Sequence, residues 1–116
     1  MTQDMNLLQP DTSHRIICLK VDKAKGVNLS MNYYEMTRKY WKVDIQRASQ
    51  ATHALAITSG VVKAVFHSLK WYPTKDFMHL GRYEFEGDED TQSEYLGKSV
   101  DHIYGKCLGY VKYINL

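Results

Sequence analysis

ALAITSGVVKAVFHSLKWYP, residues 54–73, is the stretch that decides the fold of this chain. Two apolar runs rich in β-branched and aromatic residues flank the dipeptide Ser59-Gly60. Serine and glycine suit a tight turn, and glycine readily takes the positive φ that such a turn requires. The stretch therefore predicts a central β-hairpin that ends in the aromatic pair Trp71 and Tyr72 and stops at Pro73.

The second run of this stretch, residues 61–69, is apolar on both of its faces. Its side chains alternate with the two-residue period of a strand, with Val61 and Val65 on one face and Val62 and Phe66 on the other. A strand with two apolar faces is covered on both sides, as in the middle of a sheet or small barrel. Residues 61–69 are therefore predicted to form a central strand.

The length and composition of the chain favour one globular domain. The chain has 116 residues, a length that is enough for one hydrophobic core. Of these residues 44% are hydrophobic and 24% charged, which is an ordinary composition for a globular protein. We expect a single domain over residues 14–116, preceded by a flexible lead-in over residues 1–13. No apolar run approaches the roughly 18 residues of a membrane span, so no membrane partner is expected, and no cofactor is predicted.

The cysteines and histidines do not predict a metal site. Cys18 and Cys107 lie far apart, and the N-terminus does not resemble a signal peptide, so both are interpreted as reduced thiols of a cytoplasmic protein. A disulfide between the first and last strands is the alternative interpretation. The five histidines show no ligand spacing.

Two short helices are predicted before the hairpin. Asn32 and Glu35 have the spacing of a capping box, which predicts a helix over residues 33–41. Asp44 is placed to cap a second short helix over residues 45–51, IQRASQA.

Three further strands complete the predicted sheet, over residues 15–22, 81–87 and 110–116. The last is expected to pair inside the sheet, because an unpaired edge of its composition would promote aggregation. Thr91 and Glu94 form another capping box and predict a further helix. The fold class is therefore α+β: one small domain with a curled mixed sheet or pseudobarrel of about five strands and short flanking helices.

Charge is distributed unevenly along the chain. The net charge of +2 is too small to argue for nucleic-acid binding by itself, but residues 38–47 are basic and residues 84–94 are acidic. Aromatic rings beside cations are typical of a surface that stacks on bases and contacts phosphates. The candidate nucleic-acid-binding residues are Tyr34, Arg38, Lys39, Trp41, Lys42, Arg47, Trp71 and Arg82. The alternative is that both tryptophans are core residues and the cations form a solvated face.

The sequence indicates catalysis less clearly than it indicates a basic and aromatic binding surface. Glu84 and Glu86 share one strand face, which suits either an acid–base pair or a solvated acidic edge. Gly97-Lys98-Ser99 is not a phosphate-binding loop, because the glycine required five residues before Gly97 is replaced by Gln92. The chain contains no GxSxG nucleophile elbow. Whether the protein is an enzyme is left open.

The order of these features is similar to that of a known group of domains. The run YYEMTRKYWKVDIQRASQATHALAITSGVVKAVFHSLKWYP, followed by GRYEFEG, EYLGKSV and GYVKYINL, resembles small bacterial and phage domains of the PUA-like superfold, which includes the PUA, ASCH and EVE domains. The resemblance covers roughly residues 15–116. It implies a pseudobarrel with a cleft for RNA, a modified DNA base or a nucleotide, and the matching cleft residues are Tyr34, Arg38, Trp41, Trp71 and Arg82. Some ASCH relatives are amidohydrolases that act on modified nucleosides through Lys, Thr and Glu groups, and the available residues here are Thr37, Lys63 and Glu84.

Three functions are consistent with the sequence. The first is a nucleic-acid or modified-nucleotide binding module that uses a basic and aromatic cleft. The second is a small hydrolase acting on a modified nucleoside or nucleotide, similar to ASCH domains. The third is a protein-interaction module that uses the acidic segment or exposed aromatic rings. The ligand and the oligomeric state are left open.

Overall fold

In a computed structural model the chain forms a single small domain in which strands predominate. The structure describes residues 7–21, 37, 39–75, 77–100 and 111–116, and for residues 39, 40 and 79 it describes the backbone alone. The elements are β1 (Ile16–Lys20), β2 (Lys39–Trp41), α1 (Ile45–Ala48), β3 (His53–Thr58), β4 (Val61–Pro73), a 3-10 helix (Phe77–His79), β5 (Tyr83–Glu89) and β6 (Val111–Ile114).

The six strands form one mixed sheet in the order β2-β5-β4-β3-β1-β6. β1 and β3 are parallel, and the other neighbouring pairs are antiparallel. β3 and β4 form the predicted hairpin, and Ser59 and Gly60 between them have φ angles of 54° and 78°, as in a type I′ turn. The mixed sheet and the central hairpin are thus confirmed, and one short helix beside the sheet is compatible with the α+β class. The described strands form an open ladder, so the predicted closure into a pseudobarrel is not part of the observed pairing.

Each face of the sheet carries its own hydrophobic cluster. The first cluster contains Leu55 and Val65 from the sheet, and Leu8, Tyr95 and Val100 cover it. The second is built from the following residues: Ile17, Ala54, Phe66, Trp71 and Phe85 in the sheet, and Ala48 from α1. Because both faces are covered, four successive residues of β1 and four of β3 are buried, as expected for strands in the middle of a two-sided core.

The segment before β1 is docked on the first cluster. Leu8 is fully buried, and its backbone N–H donates to the carbonyl of Ser99 at 2.8 Å. The backbone N–H of Asp11 donates to the hydroxyl of Tyr95 at 2.9 Å. Residues 7–13, which the sequence predicted as part of a flexible lead-in, therefore pack against the domain, and residues 1–6 lie outside the described part.

Two of the predicted helical segments are wrong where the structure describes them. Residues 39–41, predicted as the end of a helix over residues 33–41, form β2 because they pair with β5 across the sheet. Residues 33–36 and 38 of that prediction lie outside the described residues. Residues 91–97 form turns. A helix is not formed there because the end of this segment is hydrogen-bonded to the start of β4. The Val62 N–H donates to the Lys98 carbonyl, and the Gly97 N–H donates to the Val62 carbonyl, each at 2.9 Å.

The second predicted helix is confirmed, although it is shorter than expected. Asp44 is its N-cap, and Oδ1 of Asp44 accepts the backbone N–H groups of Gln46 at 3.1 Å and Arg47 at 3.4 Å. The closing strand β6 is paired with β1 alone among the described strands. It is therefore an edge strand, which contradicts the expectation that it lies inside the sheet.

A β-bulge divides β4 into two halves. The pairing of β4 with β5 shifts register between His67 and Lys70, and Ser68 has a φ of 57°, which few residues other than glycine adopt. Gly87 lies against this bulge, and a Cβ there would meet the His67 carbonyl oxygen at 2.9 Å. The bulge thus needs a glycine on the neighbouring strand, and it sets the direction of the half of β4 that carries Trp71.

Candidate nucleic-acid interface

Several of the predicted site residues lie at one end of the sheet. We call this the loop end: it is where β2, β4 and β6 finish and β1, β3 and β5 begin, as the pairing registers require. Trp41, the last residue of β2, pairs with Tyr83, the first residue of β5. Lys42 directly follows Trp41 and Arg82 directly precedes Tyr83, so both residues lie where the two strands leave the sheet. Both side chains are exposed.

Helix α1 adds a third cation to the loop end. The guanidinium carbon of Arg47 lies 4.1 Å from the ring centroid of Tyr113 on β6, and Nη2 of Arg47 donates to the Leu116 carbonyl at 3.1 Å. The backbone N–H of Asp44 donates to the Tyr113 hydroxyl at 2.9 Å. An exposed cation–π contact of this kind contributes about 0.5–1 kcal/mol. It holds the Arg47 guanidinium over the Tyr113 ring.

Residues 42–44 connect the two edges of the sheet. They leave β2 at one edge, and three residues after Trp41 the backbone of Asp44 is hydrogen-bonded to Tyr113 of β6 at the other. Side chains from both edges, Trp41 and Tyr113, also pack against the same second cluster. The sheet therefore curves around that cluster and brings Lys42 and Arg47 into one surface region.

Trp41 is half-buried at the margin of this region. Its indole N–H donates to the Thr37 carbonyl, which fixes the edge of the ring, while part of the side chain packs on the second cluster. An indole held in this way presents part of its surface to solvent. The exposed part of Trp41 is therefore accessible to a ligand while the rest of the side chain keeps its core contacts.

Trp71, in contrast, belongs to the core. Its side chain is 9% exposed, and its ring lies 5.0 Å from that of Phe85, centroid to centroid. Its indole N–H is buried without a hydrogen-bond partner, which costs about 1–3 kcal/mol. A base cannot reach the faces of this ring in the folded protein. The alternative interpretation of Trp71, as a core residue, is the correct one.

The remaining predicted residues are only partly described. Tyr34 and Arg38 lie outside the described residues, and Lys39 is described only as a backbone position in β2, opposite Glu84. Tyr113 was missed as a site residue. The aromatic and basic composition of the last strand, YVKYINL, could have indicated it. That composition does not, however, indicate which cation contacts the Tyr113 ring.

The residues suggested by the ASCH resemblance do not come together. Thr37 is buried, with a hydroxyl that has no partner. Lys63 is exposed near the hairpin turn, whereas Glu84 pairs with Tyr72 and accepts its hydroxyl at 3.0 Å. Tyr72 lies nine positions after Lys63 along β4, and at ~3.3 Å per residue this is on the order of 25–30 Å. Lys63 and Glu84 therefore cannot serve one reacting group.

A group of histidines lies on the opposite face of the loop end. The rings of His14 and His53 are 4.2 Å apart between centroids, His53 pairs with His67 across β3 and β4, and Nδ1 of His14 is hydrogen-bonded to the Tyr95 hydroxyl at 2.7 Å. Burial, together with the nearby His14 and His67, lowers the pKa of His53 below its ordinary value. These contacts join the segment before β1 to the sheet. They do not form a metal site, since the described residues contain no group of three or more ligating side chains placed to hold an ion.

An open cleft of about 520 Å³ lies beside Tyr95, lined by Leu7, Gln9, Glu94, Tyr95 and Lys98. It contains one carboxylate and one ammonium group and no arrangement of nucleophile and base. Among the described residues, Cys18 carries a thiol, and that thiol is buried. Burial raises its pKa to about 12, so its thiol is not a nucleophile at neutral pH.

Comparisons with known proteins leave the family open. No helix found in the described residues has the length and apolar character that crossing a lipid bilayer requires. Comparison of the chain with protein-family models gives no match, and comparisons with curated proteins and with solved structures also give none.

Proposed function

We propose that this domain binds nucleic acid, or a modified nucleotide within it, through a basic and aromatic surface at the loop end of the sheet. The surface consists of Trp41, Lys42, Arg47, Arg82 and Tyr113. The observation that carries the proposal is the guanidinium of Arg47, which lies over the Tyr113 ring at 4.1 Å from its centre. A planar cation on an aromatic ring can pair with a phosphate and align a base in one contact.

The chemistry of this surface supports a polyanion with flat apolar groups. Three exposed cations come from three different parts of the chain, and two of them, Lys42 and Arg82, adjoin the last pair of the β2–β5 ladder, Trp41 and Tyr83. Neutralising a phosphate releases counterions, so such contacts give affinity that falls as salt is added. The overall charge of +2 means that this affinity must come from the local grouping of cations.

We also propose that the curled sheet is a PUA-like arrangement whose barrel is closed by side chains and not by a strand ladder. The support is that Trp41 and Tyr113, from opposite edges, pack on one cluster, and that Asp44 bonds to Tyr113. Nuclear Overhauser contacts between Val43 and the Tyr113 ring are expected. If none are seen, the edges are apart and the PUA-like arrangement is excluded.

The binding proposal is tested by fluorescence anisotropy with labelled single strands and duplexes of about 16 nucleotides, at salt concentrations from about 50 to 200 mM. Arg47→Ala and Lys42→Ala are expected to weaken binding and each to reduce the salt slope by roughly 0.7–0.9 per lost phosphate contact. Arg47→Lys keeps the charge and loses the planar stack, so it should keep most of the slope. Lys63→Ala removes an exposed lysine far from the loop end and is the matched control. Unchanged affinity and slope in the two alanine variants would refute the proposal.

A further inference from the structure

The loop between β4 and β5 exposes three large apolar side chains in a row of four residues. Phe77 is 81% exposed, Met78 is 80% exposed and Leu80 is 68% exposed. Phe77 and Met78 belong to the 3-10 helix Phe77–His79. Single apolar residues on a surface are ordinary, but a contiguous group of large ones marks a binding site. Nothing in the candidate interface described above accounts for this group.

We call Phe77, Met78 and Leu80 the apolar tip, and the backbone on either side of it fixes its direction. The pairing of β4 and β5 continues to Pro73 and Tyr83, and beyond it the Thr74 N–H donates to the Arg82 carbonyl at 3.0 Å. Gly81 closes the loop with a φ of 89°, which glycine adopts without strain. The tip is therefore carried by a closed hairpin base. Its apolar side chains project at the loop end of the sheet, where β2 also ends.

The cations around the base of this hairpin indicate the chemistry of the partner that the apolar tip would bind. Lys75 is exposed on one side of the loop, and Arg82 and Lys42 are exposed on the other. A partner that fits this arrangement carries negative charge beside flat apolar groups. Unstacked nucleic acid has both, in its phosphates and its bases.

We infer that Phe77, with Met78 and Leu80 beside it, is a base-stacking element that contacts unpaired bases while Lys42, Lys75 and Arg82 contact the neighbouring phosphates. This inference rests on the proposed function and adds the part of the surface that recognises bases. An anionic bilayer would also accept an apolar tip with basic flanks. It would leave Trp41 and the Arg47–Tyr113 stack at the same end of the sheet without a role, whereas one strand of nucleic acid engages both.

The inference makes a specific demand on the ligand. If the tip stacks on bases, the protein must prefer an oligonucleotide with bases over an abasic strand of the same length and charge. Loss of one stacked base corresponds to a roughly five- to hundredfold change in affinity. Phosphate contacts alone give no such preference.

The experiment compares wild type with Phe77→Ala and Phe77→Leu, using a single-stranded oligonucleotide, its abasic counterpart and vesicles of phosphatidylcholine with phosphatidylserine. Because Phe77 is exposed, both variants should unfold at the wild-type temperature, which circular dichroism checks. We expect the wild type to prefer the base-containing strand, Phe77→Ala to lose that preference, and Phe77→Leu to lose most of it. Lys63→Ala is again the control and should behave as wild type.

The possible failures are distinguishable. If the wild type binds both strands equally and Phe77→Ala changes neither affinity, the stacking inference is wrong and the proposed function stands. If the wild type binds neither strand, both are wrong. If it binds the vesicles in a Phe77-dependent manner and oligonucleotide binding is independent of Phe77, the tip is a membrane-contacting element and the inference is overturned.

Discussion

Replacing Gly87 by alanine tests the bulge that directs the outer half of β4. The new Cβ would lie 2.9 Å from the His67 carbonyl oxygen and 2.9 Å from Cδ2 of Leu69. The Leu69 side chain can rotate away, but the carbonyl belongs to a backbone already constrained by Ser68 at a φ of 57°. The backbone of the bulge must therefore move.

The magnitude follows from two opposing effects. Overpacking against a rigid neighbour costs about 1–3 kcal/mol, whereas replacing glycine in a strand recovers roughly 0.5–1 kcal/mol of backbone entropy. We expect Gly87→Ala to lower the free energy of unfolding by about 1–2 kcal/mol. Urea denaturation followed by circular dichroism measures this value.

A double-mutant cycle identifies the source of the effect. Leu69→Ala removes the movable contact and leaves the carbonyl contact with Gly87→Ala intact. If the carbonyl is responsible, the two substitutions should be nearly additive; if Leu69 is responsible, the double variant should recover part of the loss. Stability of Gly87→Ala equal to or above that of wild type would refute the reasoning about the bulge.

Two further predictions concern His53 and Trp71. Because burial lowers the pKa of His53, the unfolded chain binds a proton more readily than the folded protein once the pH falls below about 6.5. Stability should therefore fall as the pH decreases through that range, and His53→Asn should reduce the fall; equal pH dependence in both proteins, measured by urea denaturation, would contradict this. Trp71→Phe removes an unpartnered buried N–H, so it should cost clearly less than the roughly 3–5 kcal/mol of Trp71→Ala. Trp71→Phe should also leave oligonucleotide affinity unchanged, and a weakened affinity would return Trp71 to the binding surface.

The parts of the fold that were predictable from sequence are those set by neighbouring residues. The hairpin follows from Ser59-Gly60 between two β-forming runs, and the start of α1 follows from Asp44 as an N-cap. β2 was not predictable, because residues 39–41 become a strand only through pairing with β5, more than forty residues later in the chain. Local spacing of the preceding residues favoured a helix, and a non-local contact decided the outcome.

The candidate site was predictable in its residue types and not in its grouping. Trp41, Lys42 and Arg47 were selected because aromatic rings and cations lie close together in that part of the sequence. The partner of Arg47 is Tyr113 on the other edge of the sheet, and that contact depends on β6 pairing with β1, which composition does not reveal. Trp71 failed for the reverse reason: its position at the end of a strand was visible, and its burial against Phe85 was not.

The acidic strand limits where a polyanion can lie on this domain. Below the loop end, β5 carries Glu84, which pairs with Tyr72, and then Glu86 opposite Lys70; the Tyr72 hydroxyl donates to both carboxylates, at 3.0 and 3.4 Å. Both carboxylates alternate with Phe85 along β5 and so lie on the face of the sheet away from the second cluster, where they disfavour phosphates. Under the proposed function, a strand of nucleic acid would therefore lie along the loop end, from the apolar tip at Phe77 past Arg82 and Lys42 toward Arg47. In this arrangement the carboxylates of β5 keep the oligonucleotide away from other positions on the domain. Glu86→Gln should therefore raise oligonucleotide affinity and reduce the difference in affinity between base-containing and abasic oligonucleotides.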